Sequence, residues 1–191
     1  MIPSNFNLPD FSKAEILWLS TGLEIISESA FKNFNISLLC KKVGKARTSF
    51  YHLFNNMDNF IVLLANYWAF KGTFIYMDTI DLITDPKAKL LKLMEIIHQD
   101  KTEGLAWIQL KEYARIHVEI QTILQEVEKM RIAFVASILE ELGTSKELSS
   151  EKAEMFMYTF FGWLVLHWHD EKPVLSKKVI FKILKNSGID L

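Results

Sequence analysis

The chain has 191 residues and a formal net charge of −1; half its residues are hydrophobic and 13% are aromatic. That is enough apolar material for one sizeable core or two small ones, and it excludes a disordered chain or one that binds polyanions by bulk positive charge. Only seven glycines, four prolines and one cysteine occur, which favours long helices over a turn-rich β fold and excludes an internal disulfide or a thiolate zinc site.

Residues 1–10 are polar and contain Pro3 and Pro9, so no basic-then-apolar leader is visible. The longest near-continuous apolar run, residues 155–166, is too short to span a bilayer. These features and the lone cysteine point to a reducing cytoplasm and no membrane partner. Cys40 reads as a small packed residue.

The first helix is predicted to open at Ser12, where Ser12 and Glu15 form a capping box and Phe11 and Ile16 are spaced as a hydrophobic staple. Its apolar positions are Ile16, Leu19, Leu23 and Ile26, and Phe31 and Phe34 are expected to pack into the same core. Two short helices follow. The first, residues 35–43, starts at the N-cap Asn35 and carries Leu38, Leu39 and Val43. Gly44 permits the left-handed conformation that ends it. The second, residues 46–54, places Phe50 and Phe54 on one face. Arg47, Thr48, Ser49, Tyr51 and His52 fall mostly off that face. A helix–turn–helix has these parts, with its second helix entering the major groove. The residues alone fit an ordinary exposed face equally well.

A longer helix begins at Asn56 and carries Phe60, Leu63, Leu64, Tyr67, Trp68 and Phe74. Asp85-Pro86 marks the next start, giving a helix over residues 86–98. Gly104 is expected to break the pattern before a helix over 105–116. Residues 118–142 follow, ended by Gly143. The helix predicted over 150–170 is apolar around nearly its whole circumference, which requires burial on every side. Together with the last helix, residues 175–185 with Val179, Ile180, Ile183 and Leu184, it suits a two-fold dimer interface.

Motifs for phosphate loops, dinucleotide binding, nucleophile elbows and zinc proteases are absent. His167 and His169 are about 200° apart on a helix and cannot share a metal. Glu95 and His98 form half of a di-iron pattern with no second half; Glu95, three residues after Lys92, reads as an ion pair. No cofactor, metal or catalytic residue is expected, and a helical metalloprotein or enzyme ranks last. Trp107, Tyr113, Tyr158 and Trp163 could line a ligand pocket between helices. Arg131, within an apolar stripe, could anchor an anion. Each fits a plain core or interface role as well.

Residues 36–61 resemble the tetracycline-repressor (TetR-type) family of transcription regulators. Leu39-Cys40 stands where that family has Ile-Ala, Gly44 is at its turn glycine, and Phe50-Tyr51 with Phe54 fits its Leu-Tyr-x-x-Phe run. Phe60 matches a later Leu, and the aromatic of Ala30-Phe31 is kept. Lys45, Ala46, Leu53 and Met57 depart from the family pattern; a Lys is common at the last position. The resemblance implies an all-α fold: a helix–turn–helix head, residues 1–55, and a helical ligand-binding and dimerisation body, residues 56–191. It implies a homodimeric, small-molecule-responsive regulator, with repression favoured, that binds double-stranded operator DNA. Arg47 and Thr48 would probe base edges. Ser49, Tyr51 and His52 would hold phosphates, with Ser37 and Lys45 adding contacts. Residues 1–62 carry six basic and five acidic side chains, and this near balance, with Leu53 and Met57, keeps open a second reading: a dimeric helical regulator with weakened or lost DNA binding that acts through protein contacts.

Overall fold

The computed structural model describes residues 10–28, 34–99, 101–167 and 176–189, and these are helical apart from short connections, with no strand among them. The elements are α1 (Lys13–Glu28), α2 (Ile36–Val43), α3 (Arg47–Phe54), α4 (Met57–Ala69), a π-helical turn (Phe70–Phe74), α5 (Ile75–Asp81), α6 (Pro86–Gln99), α7 (Lys101–Ala114), α8 (Val118–Glu141), α9 (Lys146–His167) and α10 (Lys177–Asn186). The chain divides into two compact units. One comprises Met1–Phe74 and Thr102–Gln125, the other Ile75–Lys101 and Glu126–Leu191.

In the first unit, local chemistry sets the helix ends. The Ser12 amide donates to Glu15 Oε2 at 2.9 Å, and the Glu15 amide donates to Ser12 Oγ at 3.3 Å, so the capping box forms. The staple does not: Phe11 packs edge-on against Tyr67 at 5.5 Å, while Ile16 is exposed. The core is aromatic. Trp18, Phe50, Phe54 and Phe60 are all at most 2% exposed, and Phe60 lies 5.4 Å from the Phe50 ring and 4.8 Å from Phe54. Offset and edge-on rings of this kind contribute about 0.5–1.5 kcal/mol per pair beyond their burial. Phe34 joins the cluster at 6.0 Å from Phe60; Phe31 lies outside the described residues.

Gly22 lets α1 approach α4, because a Cβ there would meet Phe60 Cζ at 3.0 Å. At Gly72, in the π turn, a Cβ would meet the Glu103 side chain at 2.4 Å. The Trp68 indole N–H donates to the Glu103 carbonyl at 3.1 Å. Here the structure corrects the expectation for Gly104. The helix does not break there: α7 starts at Lys101, and Gly104 is buried within it. The contact of Trp68 on α4 and Gly72 in the π turn with Glu103 on α7 outweighs the roughly 1 kcal/mol that a helical glycine costs.

In the second unit, Asp85 caps α6 by accepting the Ala88 amide at 3.0 Å. Lys89, 8% exposed, reaches both carboxylate oxygens of Glu141 on α8 at 2.8 Å. Gly143 ends α8 at φ 91°. The α9 helix starts at Lys146, four residues earlier than periodicity implied, because Ser145 caps it through the Leu148 amide at 3.4 Å. Lys92 and Glu95 pair at 2.8 Å, as their spacing suggested, and Lys92 holds the Glu95 carboxyl below its ordinary pKa. A second correction concerns α10. Ile180, Ile183 and Leu184 are buried within the chain itself, because α10 packs on α9 and α6, so this stripe is not free for a partner. The exposed apolar residue of α10 is Phe181.

The helix over Met57–Asp81 is long and apolar enough to cross a bilayer by length and composition, more so than residues 155–166. Half of that apolar window is buried inside the protein, with Phe60, Leu64 and Trp68 in the core, as in a core helix.

Candidate nucleic-acid interface

The surface of α3 is fixed by what lies beneath and before it. Asn35 caps α2 by accepting the Leu38 amide at 3.0 Å. Gly44 adopts φ 71°, and its N–H donates to the Cys40 carbonyl at 2.9 Å. This left-handed turn redirects the chain, and α3 begins three residues later. Phe50 and Phe54 plug into the aromatic core. Their burial determines which side of α3 faces outward.

That outward side carries the predicted residues. Lys45, Arg47, Thr48, Tyr51 and His52 are exposed, and Ser49 is half-buried. Ser37, exposed on α2, accepts a hydrogen bond from the Arg47 guanidinium, so the turn brings these two residues together. The Tyr51 ring stands edge-on to Phe50 at 5.7 Å, and Tyr51 is 46% exposed. Lys41 is exposed, whereas Lys42 is paired with Glu28 on α1 at 3.1 Å. The positive surface is therefore smaller than the Lys41–Arg47 cluster suggests.

Two features of the first unit escaped sequence reasoning. A shallow groove of about 500 Å³ lies between α1 and α3. Ala14, Leu17, Trp18 and Leu53 line it together with Lys45, Thr48, Ser49 and His52. Leu53 thus has an apolar setting, which accounts for a leucine where the resemblance favours a polar or aromatic residue. The second feature is a tie between α7 and the start of α4. Tyr113 Oη donates to Asp58 Oδ1 at 3.3 Å, and the Tyr113 ring stacks on His117 at 4.1 Å. Burial, then the Asp58 charge and hydrogen bond, pushes the Tyr113 phenol above its ordinary pKa. Asp58 lies in the first turn of α4, four residues after α3 ends. No local pattern signals a contact between residues 55 apart.

The predicted ligand residues are distributed over both units. Trp107 and Tyr113 are half-buried on α7 in the first; the Lys111 ammonium sits 5.7 Å over the Trp107 ring. Arg131 (α8) and Trp163 (α9) are half-buried in the second, and Tyr158 is 61% exposed. Trp163 stacks on His167 at 4.6 Å, and His167 Nδ1 lies 2.8 Å from the Trp163 carbonyl. His169 and Trp168 lie outside the described residues. Among the described residues no three His, Cys, Asp or Glu side chains converge as metal ligands.

The sequence matches no protein-family profile and no curated protein. Solved structures do match. A TetR transcriptional regulator from Legionella pneumophila superposes with a TM-score of 0.76 at 14% identity, covering 94% of this chain and 98% of that one. A TetR-family regulator from Agrobacterium tumefaciens gives 0.74 at 14% identity, covering 90% and 96%. One from Cytophaga hutchinsonii gives 0.72 at 12%, covering 96% and 99%. This is the TetR-regulator fold. The likeness extends over nearly the whole length of each chain, well beyond the helix–turn–helix that suggested it.

Proposed function

We propose that the protein is a cytoplasmic, homodimeric, DNA-binding transcriptional regulator, a repressor that a small molecule releases from its operator. The observation that carries this reading is the outward face of α3: Arg47, Thr48, Tyr51 and His52 exposed above a rigid aromatic core, in a chain with the TetR fold. Residues 1–55 serve as the head and residues 56–191 as the ligand-binding and dimerisation body. Arg47 and Thr48 face base edges, where an arginine can bond guanine bidentately. Ser49, Tyr51, His52, Ser37 and Lys45 position the head on phosphates. Trp107, Tyr113, Arg131, Tyr158 and Trp163 are the candidates for ligand contact in the body. The ligand acts by favouring one arrangement of the heads over another. Asp58–Tyr113 links the start of α4 to α7. The exposed apolar face of α9 supports the homodimer.

Binding to DNA from the neighbourhood of its gene, measured across a salt series beside an Arg47→Ala/Tyr51→Ala variant, tests this function. Sequence-selective, salt-dependent binding that the variant loses is the expected result. Weak, non-selective binding unchanged in the variant overturns it. That outcome favours the second reading, a helical regulator acting through protein contacts, which the Lys42–Glu28 pair and the apolar α1–α3 groove support.

A further inference from the structure

The α9 helix has two apolar sides. One side, with Ala153, Phe156, Met157, Phe161 and Leu164, is buried in the chain's own core. On the other side Leu148, Met155, Tyr158, Val165 and Leu166 are 43–79% exposed. At 100° per residue these five lie within about 60° of the direction in which Gly162 points. Gly162 is exposed, and a Cβ built on it meets nothing within 4 Å. An interior helical glycine is unfavourable relative to alanine, and among the described residues no packing contact calls for one. Gly22 and Gly72 each have a neighbour that a Cβ would crowd; Gly162 has none.

We infer that Gly162 is the point where α9 crosses the α9 of a second copy, beside the two-fold axis, with the two backbones in close approach. This rests on the dimer reading above and adds its register. Charge selects a second copy as the occupant. The early turns of α9 expose Glu147, Glu151 and Glu154, and α10 exposes Lys177, Lys178, Lys182 and Lys185 around Phe181. The C-terminal end of α10 lies by Lys152, since a Cβ on Gly188 would sit 3.5 Å from Lys152 Cε. The helix therefore runs back along α9 with Lys178 toward the far end, where Lys177 lies near enough to Glu95 of its own chain to stabilise that carboxylate. A two-fold axis at Gly162 turns the acidic end of one α9 toward that lysine-bearing end of the copy. One surface thus supplies both complementary charges, as an isologous interface requires.

The test is disulfide trapping of the full chain in a Cys40→Ala background. A bridge needs Cα atoms within about 7 Å. Gly162→Cys should form an intermolecular disulfide under mild oxidation. Glu154→Cys should not, because eight residues of helix put about 12 Å between it and the crossing on each copy, or roughly 24 Å in all. In parallel, Gly162→Leu should weaken dimerisation at least tenfold by sedimentation while helix content is unchanged, since Gly162 is exposed and a Cβ there meets none of the described residues within 4 Å. No disulfide at position 162 in a chain that still sediments as a dimer, or an unchanged dimer affinity in Gly162→Leu, overturns the crossing and leaves the dimer standing. A wild-type chain that sediments as a monomer at all concentrations removes the dimer reading itself.

Discussion

Gly22→Ala is the sharpest probe of how the head is held. In an open helix interior this substitution stabilises by about 0.5–1 kcal/mol, because alanine loses less backbone freedom on folding. At Gly22 the new Cβ would lie 3.0 Å from Phe60 Cζ, 3.1 Å from Leu64 Cδ1 and 3.3 Å from Phe60 Cε1. Phe60 cannot swing away, since Phe34, Phe50 and Phe54 surround it at 4.8–6.0 Å. Overpacking of this kind costs about 1–3 kcal/mol, so the expected net effect is a loss of about 1–2 kcal/mol. Phe60→Leu removes two of these three atoms and leaves Leu64 Cδ1. In that background Gly22→Ala should cost at least about 1 kcal/mol less, a coupling that a double-mutant cycle measures. The assay is urea denaturation of all four proteins at one protein concentration, with a constant slope checked first. If Gly22→Ala stabilises the wild type by its propensity gain, α1 and α4 are not in the close contact described, and the reasoning fails.

Three further outcomes follow from single contacts. Glu28→Gln frees Lys42 on both heads of a dimer; the salt dependence of DNA binding should steepen by about 1.8 in logarithmic slope, with stability nearly unchanged because the pair is exposed. An unchanged slope would place Lys42 away from the DNA. In the Lys89–Glu141 pair the lysine side chain is 10% exposed and the glutamate 43%. Glu141→Gln strands the more buried charge and should cost more in urea titration than Lys89→Met, each on the order of 1–3 kcal/mol; the reverse order would contradict this account. Tyr113 has a raised pKa in the folded state, so its contribution to stability is complete below pH about 10 and is lost as pH rises through that raised value. Asp58→Asn should lower the pKa part of the way back, burial remaining, in a phenolate absorbance titration; no change would show that the Asp58 tie is not formed in solution.

The helix–turn–helix was legible because its signals are local. Asn35, Gly44 and the Ser12–Glu15 box act within four residues, and the Phe50–Phe54 pair marks its buried face without reference to the rest of the chain. The ends of α7 and α9 were less legible. Gly104 carries a breaker's propensity that the packing of α7 on Trp68 overrides, and Ser145 competes as a cap with two nearby serines. The π turn at Phe70–Phe74 was not foreseen, and the close approach of Glu103 to Gly72 within it comes from another helix. Periodicity gave α10 an apolar stripe but not its destination; the stripe faces the chain's own core, and the outward apolar surface lies on α9. Of the α3 residues expected off the buried face, Arg47, Thr48, Tyr51 and His52 are exposed and Ser49 is half-buried, while the links Arg47–Ser37, Lys42–Glu28 and Tyr113–Asp58 needed three dimensions.

The central claim is that two α3 helices read DNA from one dimer, and hydroxyl-radical footprinting on a bound fragment tests it most directly. The account predicts two protected patches related by a two-fold axis, on one face of the duplex, about one helical turn or a multiple apart. Both should vanish with Arg47→Ala/Tyr51→Ala. A single patch, uniform protection along the fragment, or a footprint that survives in that variant would contradict it.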